Sequence, residues 1–442
     1  QLADAYYNMF NTVEAAKWYA KVVTQPQDAE TYYKYAQMLK ANGKYEESNK
    51  QMKVFASKMP NDERAKAFMQ NPDYLPKILD RQKKFNVKNT TINTDKSEFG
   101  AVLAGDNNVY FTSTRNKSKR TDGWNDEPYL DIYYVSYNPT DGTFGKVEEL
   151  TELNTKWHEG PVSITADGNT MYFARDSQAD NNFVNDKKLK TKFGVVNIYK
   201  ATKSGGKWGN LQSLPFNSKT YSTSSPCISK DGKTLYFSSD MPGSMGQSDI
   251  WKVAVTGDNS YGTPENLGKM VNTEGKEQFP FITDDSVLYF SSSGRQGLGG
   301  LDVFSIDLGK SGEDGMAKNL GKPINTEKDD FAFSFNTAKN IGFFASNRNG
   351  TDDIFIADPI CSVEVNTLVT DAKTGRPLEG ARVAILDNKK NIIETKTSGA
   401  NGEVAYTVDC DKEFSIQVSR DEYQSGVFPV AKTRGGKVTV EA

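Results

Sequence analysis

Histidine is almost missing from these 442 residues: there is one, His158. A lone imidazole leaves little room for catalysis that passes protons through histidine. Cysteine is nearly as scarce. The three present, Cys227, Cys361 and Cys410, form no C-x-x-C or Cys/His cluster, which excludes a zinc site of the usual kind. No stretch approaches the roughly 18 consecutive apolar residues that cross a bilayer as a helix, so no direct membrane span is expected. Charge of one sign is not in excess either: 54 Lys+Arg stand against 57 Asp+Glu, a net of −3. A general nucleic-acid binder would carry a strongly basic footprint, so that partner class is excluded. The chain opens at Gln1 with neither Met nor a signal-peptide pattern, and is expected to be a processed or trimmed product.

Aromatic residues, in contrast, abound: 21 Tyr and 24 Phe indicate a β-rich protein. The length exceeds what one hydrophobic core serves, so more than one domain is expected. The stretch "SKDGKTLYFSSDMPGSMGQSDIW" (229–251) joins an Asp-Gly hairpin turn, an alternating aromatic strand and a Gly/Pro/Ser loop. This unit recurs five times. Its aromatic pair stands at Tyr110-Phe111, Tyr172-Phe173, Tyr236-Phe237, Tyr289-Phe290 and Phe343-Phe344, each after a turn such as "GDNN" or "ADGN". Downstream comes an acid or amide, an aliphatic and an aromatic: Asp131-Ile132-Tyr133, Asn197-Ile198-Tyr199, Asp249-Ile250-Trp251, Asp302-Val303-Phe304 and Asp353-Ile354-Phe355. A third mark begins at Asn93, Asn154, Asn217, Asn272 and Asn325, in steps of 61, 63, 55 and 53 residues, each followed by Thr or Ser. That period with about four short strands per unit is the signature of propeller blades. Five units predict a five-bladed β-propeller over 85–358. The Asn-Thr mark reads as the end of each outermost strand, so residues 86–93 are expected to supply the outer strand of the last blade and close the ring.

Both flanks differ. Before residue 70 the pattern is helical and superposes on itself at an offset of 33, matching Leu2 with Tyr35, Ala3 with Ala36, Ala15 with Ser48 and Tyr19 with Met52. Small residues at helix crossings and closing prolines, Pro26 and Pro60, are the tetratricopeptide pattern. Residues 1–84 are therefore expected to be helical repeats that lean on the propeller. After Pro359, alternating strands broken by Lys-Thr-Gly, Glu-Gly-Ala and Ala-Asn-Gly turns predict a small β-sandwich over 359–442. Cys361 and Cys410 are candidates for a disulfide there in an oxidising compartment, the other reading being two reduced core cysteines. Cys227 reads as a small core residue.

The unit at 229–251 resembles the TolB-like propeller repeat, and "VTDAKTGRPLEGARVAI…TSGANGE" closely resembles a carboxypeptidase-regulatory-like, transthyretin-type domain. Helical repeats, then this propeller, then this sandwich is the order of PorE-like, OmpA-family envelope proteins associated with type IX secretion and gliding. The resemblance implies a non-enzymatic scaffold in the periplasm, associated with the outer membrane, that docks an outer-membrane complex (a PorP/SprF-like protein or a type IX secretion component). The family normally ends in an OmpA-like domain that grips peptidoglycan. None follows Ala442, so a peptidoglycan link is expected only of a longer parent chain.

Candidate sites follow from the repeat. Arg115, Arg175, Arg295 and Arg348 come after the aromatic strand in four units, with Asp240 near that place in the third. Either each Arg pairs with a blade Asp and fastens the ring, or the arginines form a binding crown. From Phe111 to Ile132 there are 21 residues and from Phe173 to Ile198 there are 25, against 13, 13 and 10 in the other units. These insertions join equivalent strands and are expected on one face. With Arg115, Trp124, Trp157, His158 and Arg175 they make the expected partner-binding surface. The alternative function is a carbohydrate-binding or glycoside-hydrolysing propeller, which would need two placed carboxylates. "TDDS" and "GTDDI" lack the oxygen spacing of a calcium loop and read as solvated turns. No catalytic residue, cofactor or metal is expected.

Overall fold

The computed structural model describes all residues except 10, 118–120, 123–125, 187–190, 411 and 434–435. The chain divides into two compact units, Gln1–Asp358 and Pro359–Ala442. The first opens with six helices: α1 (Leu2–Asn8), α2 (Thr12–Val22), α3 (Ala29–Ala41), α4 (Tyr45–Lys58), α5 (Glu63–Gln70) and α6 (Tyr74–Leu79). Asn11, Asp28 and Asp62 start α2, α3 and α5 by accepting the Glu14, Thr31 and Arg64 amides, as good N-caps do. The small residues Ala3, Ala15, Ala36 and Ser48 are buried where helices meet.

The rest of this unit is mainly β, in the arrangement of a β-propeller. Five antiparallel sheets follow, each running from an inner strand through a second and third to an outer one. Sheet I has Glu98–Leu103, Asn108–Ser113, Asp131–Asn138 and Glu148–Glu149; sheet II has Glu159–Ile164, Thr170–Asp176, Val196–Ser204 and Lys207–Ser213. Sheet III has Thr223–Ile228, Thr234–Ser239, Asp249–Gly257 and Glu265–Asn266; sheet IV has Glu277–Ile282, Val287–Ser292, Asp302–Asp307 and Lys318–Asn319. Sheet V has Asp330–Asn336, Ile341–Ser346 and Asp353–Pro359, and its outer strand is Phe85–Asn89 from far upstream.

Why each unit needs two adjacent large residues is now visible. Successive strand residues point to opposite faces, and both faces of every sheet are buried. In sheet I, Tyr110 and Ile132 enter the core shared with sheet II, while Phe111 and Tyr133 enter the core shared with sheet V. Tyr172, Tyr236 and Tyr289 likewise face the next sheet, and Phe173, Phe237 and Phe290 the preceding one. Phe343 of sheet V packs against sheet I and Phe344 against sheet IV, so the circle of sheets is closed.

The Asn-Thr marks differ from their expected role. They lie beyond the outer strands rather than ending them, and the asparagine side chain replaces a strand. Asn154 accepts from the Ile132 amide at 2.8 Å and donates to the Ile132 carbonyl at 3.0 Å. Asn217 does the same to Ile198, Asn272 to Ile250, Asn325 to Val303 and Asn93 to Ile354.

A second recurring feature is a bulge in every inner strand, with one residue in the left-handed region: Gly100, Gly160, Ser225, Phe279 and Ala332, at φ of 67°, 100°, 50°, 53° and 51°. At Gly160 only glycine fits, since a Cβ would stand 2.2 Å from Thr112 Oγ1.

The helices dock on the loop of sheet IV. Tyr33 donates to the Ser293 carbonyl at 2.7 Å, Tyr74 to that of Gly297 at 3.2 Å, and Gln296 to those of Ala67 and Asn71. Beneath them Arg64 pairs with Glu30 and Asp62 and lies under the Tyr33 ring.

The second unit is a two-sheet sandwich. One sheet orders Glu403–Asp409, Ser362–Leu368 and Gly436–Glu441; the other orders Ile392–Thr397, Arg382–Leu386, Ser415–Ser419 and Gly426–Pro429. Val365, Ile385, Tyr406 and Ile416 fill its core, and a disulfide joins Cys361 to Cys410. Cys227 is a buried thiol.

Candidate docking surface

Each inner strand except that of sheet III begins with a buried acid: Glu98, Glu159, Glu277 and Asp330. The threonine of the preceding Asn-Thr mark holds it through amide and hydroxyl, as Thr94 holds Glu98 and Thr273 holds Glu277. Onto these acids fold the arginines. Arg115 Nη2 is 3.1 Å from Glu98, Arg175 Nε is 3.2 Å from Glu159, and Arg348 Nη2 is 2.5 Å from Asp330. Arg295 faces the charge of Glu277 and donates to the carbonyls of Lys269, Met270 and Val271.

Two expectations are corrected here. The partner acid heads the inner strand and is a blade Asp only for Arg348, at Asp330, while Arg115, Arg175 and Arg295 face Glu98, Glu159 and Glu277. Arg115 and Arg175, expected to contact a partner, have side chains only 14% and 8% exposed and are committed to the ring. In sheet III the place of Arg115 and Arg348 belongs to Met241, not Asp240. The Met241 amide donates to Ser239 Oγ as Arg115 donates to Ser113 Oγ, and its side chain joins Phe237 and Trp251 in the core. Thr223 replaces the acid, and the Tyr221 hydroxyl serves the Phe216 carbonyl, as Arg115 serves that of Ile92.

At the same end of sheets I and II the two insertions meet around His158. Its Nδ1 accepts from the Leu130 amide at 3.1 Å, and its Nε2 lies 3.1 Å from Asp122. Both nitrogens are thus occupied, which leaves neither for proton transfer to a substrate. Burial lowers the imidazole pKa against the pull of Asp122 and Asp176, so the ring is neutral near pH 7, with its proton on Nε2. Tyr129 packs on the imidazole at 4.5 Å and stacks on Trp157 at 5.9 Å. The His158 carbonyl accepts the amide of Asp176, where the second insertion begins. That insertion continues as a ribbon, Val184–Asp186 paired with Thr191–Phe193, whose Val184 and Phe193 are 39% and 49% exposed.

The structure therefore brings Trp157 and His158 together with Asp122, Tyr129 and Asp176, which sequence reasoning had not singled out. Trp124 lies outside the described residues. Among the described residues no group of three His, Cys, Asp or Glu side chains is placed to hold a metal.

The ring axis offers little chemistry. Phe99, Phe279 and Phe331 close one end, with centroids 5.1 to 6.1 Å apart. The other end is a cavity of about 230 Å3 whose walls mix apolar residues such as Leu103, Ile228 and Phe335 with polar ones such as Ser163, Thr165 and Asn336. One carboxylate, Asp284, lines it, and that group is paired with Lys230.

No protein-family model and no curated protein matches the chain. Among solved structures, TolB from Acinetobacter baumannii is similar over 78% of this chain and 65% of its own, at 12% identity and a TM-score of 0.34. The Kuenenia stuttgartiensis hydrazine synthase is similar over 78% of this chain and 62% of its own, at 9% identity and a TM-score of 0.35. An endo-arabinase from Bacteroides thetaiotaomicron VPI-5482 is similar over 61% of this chain and 95% of its own, at 12% identity and a TM-score of 0.40. The chain thus spans less than two thirds of the length of the first two, and likenesses this distant assign no activity.

Proposed function

We propose that this chain is a non-enzymatic scaffold of the bacterial envelope, periplasmic and associated with the outer membrane. In this reading the five sheets are the five blades of a closed propeller, and α1–α4 are two tetratricopeptide-type repeats braced on it. The surface made by the insertions of sheets I and II docks an outer-membrane partner of the type IX secretion or gliding class. A peptidoglycan link belongs to an OmpA-like domain of a longer parent chain.

One observation carries the docking role. His158, Tyr129 and Trp157 tie the first insertion, the inter-sheet connection and the start of the second into one preformed surface. Next to it Val184 and Phe193 stand exposed on a paired ribbon. Rigid aromatic anchors with exposed apolar neighbours are what a protein interface uses. Of the arginines that would have made a substrate-binding crown, Arg115, Arg175 and Arg348 are spent on internal ion pairs and Arg295 on backbone carbonyls. Glycoside cleavage needs two placed carboxylates, and the axial cavity presents one, already paired.

The test is co-purification of the outer-membrane complex from detergent-extracted envelopes, with wild type and with a Trp157→Ala/Phe193→Ala variant. Loss of the complex at an unchanged melting temperature supports the reading. Retention of the complex by a Trp157→Ala variant that lacks 183–194 overturns it.

A further inference from the structure

Around the ring, sheet III is the exception. The docked helices bond the loop of sheet IV and reach Glu274 in the connection from sheet III to sheet IV, and sheets I and II carry the insertions. Sheet III has no insertion, and among the described residues it alone replaces the buried Arg–acid pair by Met241 and Thr223. At the end of the ring that bears the insertions, it holds a polar cavity of about 190 Å3, bounded by its own strands and the start of sheet IV.

The walls of this cavity include Ser224, Ser238, Asp240, Gln247, Lys276 and Gln278. The two serine hydroxyls bond each other at 3.0 Å and form a settled floor. Asp240 is oriented, since its Oδ1 accepts the Ser222 amide at 2.7 Å. The backbone of Lys276 is fixed by the Ser293 hydroxyl at 3.0 Å. Among the described residues, the Lys276 ammonium and the side-chain amides of Gln247 and Gln278 have no hydrogen-bond or ion-pair partner. Asp240 and Lys276 therefore line one cavity with opposite charges and do not pair with each other.

That set of groups selects a ligand class. A single cation is a poor match for a phosphate ester, which is held by several donors or a bidentate Arg. Among the described residues no aromatic ring lines the cavity to stack on a sugar face or a base. What the walls offer is one carboxylate, one ammonium and two amides, each able to replace water on a group of matching polarity. The volume is below the about 300 to 1,000 Å3 of drug-sized sites.

We propose that this cavity binds a small zwitterion of the free α-amino-acid class. The ligand ammonium lies on Asp240, its carboxylate on Lys276, and a short polar side chain against Gln247 and Gln278.

Titration calorimetry of the full chain at low salt, with glycine, L-serine and L-glutamine, tests this. Binding of at least one is expected. Its N-acetylated and its amidated analogues, each missing one charge, should bind about 10- to 100-fold more weakly. Asp240→Asn and Lys276→Met should each cause a similar loss for the free amino acid. Asp240→Asn should leave the N-acetylated analogue no weaker than it is on wild type, and Lys276→Met should do the same for the amidated one. Both residues are exposed, so the melting temperature serves as the folding control. Absence of binding by all three amino acids, affinity unchanged in both variants, or tighter binding of glucose or inorganic phosphate overturns the assignment.

Discussion

Sheet III is a natural control for the buried ion pairs of the other sheets, and it sets the outcome of a double-mutant cycle at Arg348 and Asp330. The Asp330 carboxylate is fully buried and bonds Arg348 Nη2 at 2.5 Å as well as the Thr326 amide and hydroxyl. Arg348 also donates to Ser346 Oγ and to the carbonyls of Pro323 and Ile324. Arg348→Met leaves a buried carboxylate without its cation, a change that costs about 3 to 5 kcal/mol. Asp330→Thr leaves the cation facing no acid and should cost a similar amount. The double variant reproduces the Met241 and Thr223 arrangement of sheet III, where no charge is buried. It still lacks a counterpart of the Tyr221 hydroxyl on the Phe216 carbonyl, so the Pro323 and Ile324 carbonyls lose the Arg348 donor, at about 1 to 3 kcal/mol each if buried. The two losses should therefore be far from additive, with a coupling of several kcal/mol in favour of the double variant. With an unfolding entropy near 2.1 cal/mol/K per residue over this unit, a 4 kcal/mol loss lowers the melting temperature by about 5 °C. Urea unfolding of the four proteins measures the cycle. The pH gives a second readout: burial already raises the Asp330 pKa against Arg348, and without Arg348 it rises further. The single Arg348→Met variant should then recover stability at pH 5. Additive losses, or single-variant losses below about 0.5 kcal/mol, would refute the idea that the pairs are fixed by the penalty of breaking them.

The stability of Gln1–Asp358 should fall as pH rises from 5 to 8. Burial lifts Asp131, Glu159, Glu277 and Asp329 to about 7, so the folded state holds protons that unfolding releases, and this contribution is lost as pH passes the folded values. His158, lowered by burial, opposes them as a single group, and a melting temperature that climbs across this window would contradict the balance. Reducing the Cys361–Cys410 disulfide, which closes a separation of 49 residues, should lower the unfolding free energy of Pro359–Ala442 by about 4 kcal/mol while leaving the first unit unchanged. Calorimetry with and without reductant distinguishes the two transitions. Asn272→Ala removes two bonds to the buried backbone of Ile250 and one to Asn266, and should cost about 2 to 3 kcal/mol. A loss no larger than that of an exposed Asn→Ala control would show that water replaces the side chain.

The sequence alone carried the recurrence of the strand unit, because each sheet is buried on both faces and must spend two adjacent large residues on each central strand. Tyr110-Phe111 and Ile132-Tyr133 had to be written into every unit, and a local pattern repeated five times is legible without coordinates. The long insertions were legible as well, since a length is counted rather than inferred. What the arginines do was not. Arg115 and Glu98 are 17 positions apart and the pair is made by two strands and a loop closing on each other. The threonine-to-acid spacing in "NTDKSE" and "NTEGKE" was the available signal, and it acquires meaning only once Thr94 and Thr273 are seen holding those acids. The asparagine marks were visible as positions, but their side chains act as backbone, a role that no propensity encodes. His158 could be named from its rarity, while Asp122, Tyr129 and Asp176 come from two insertions and meet it only because neighbouring sheets share one end of the ring. The sequence set what each strand must bury. Which charges face each other across loops and sheets was decided by the closing of the ring, where burial makes an unpaired group too costly to leave.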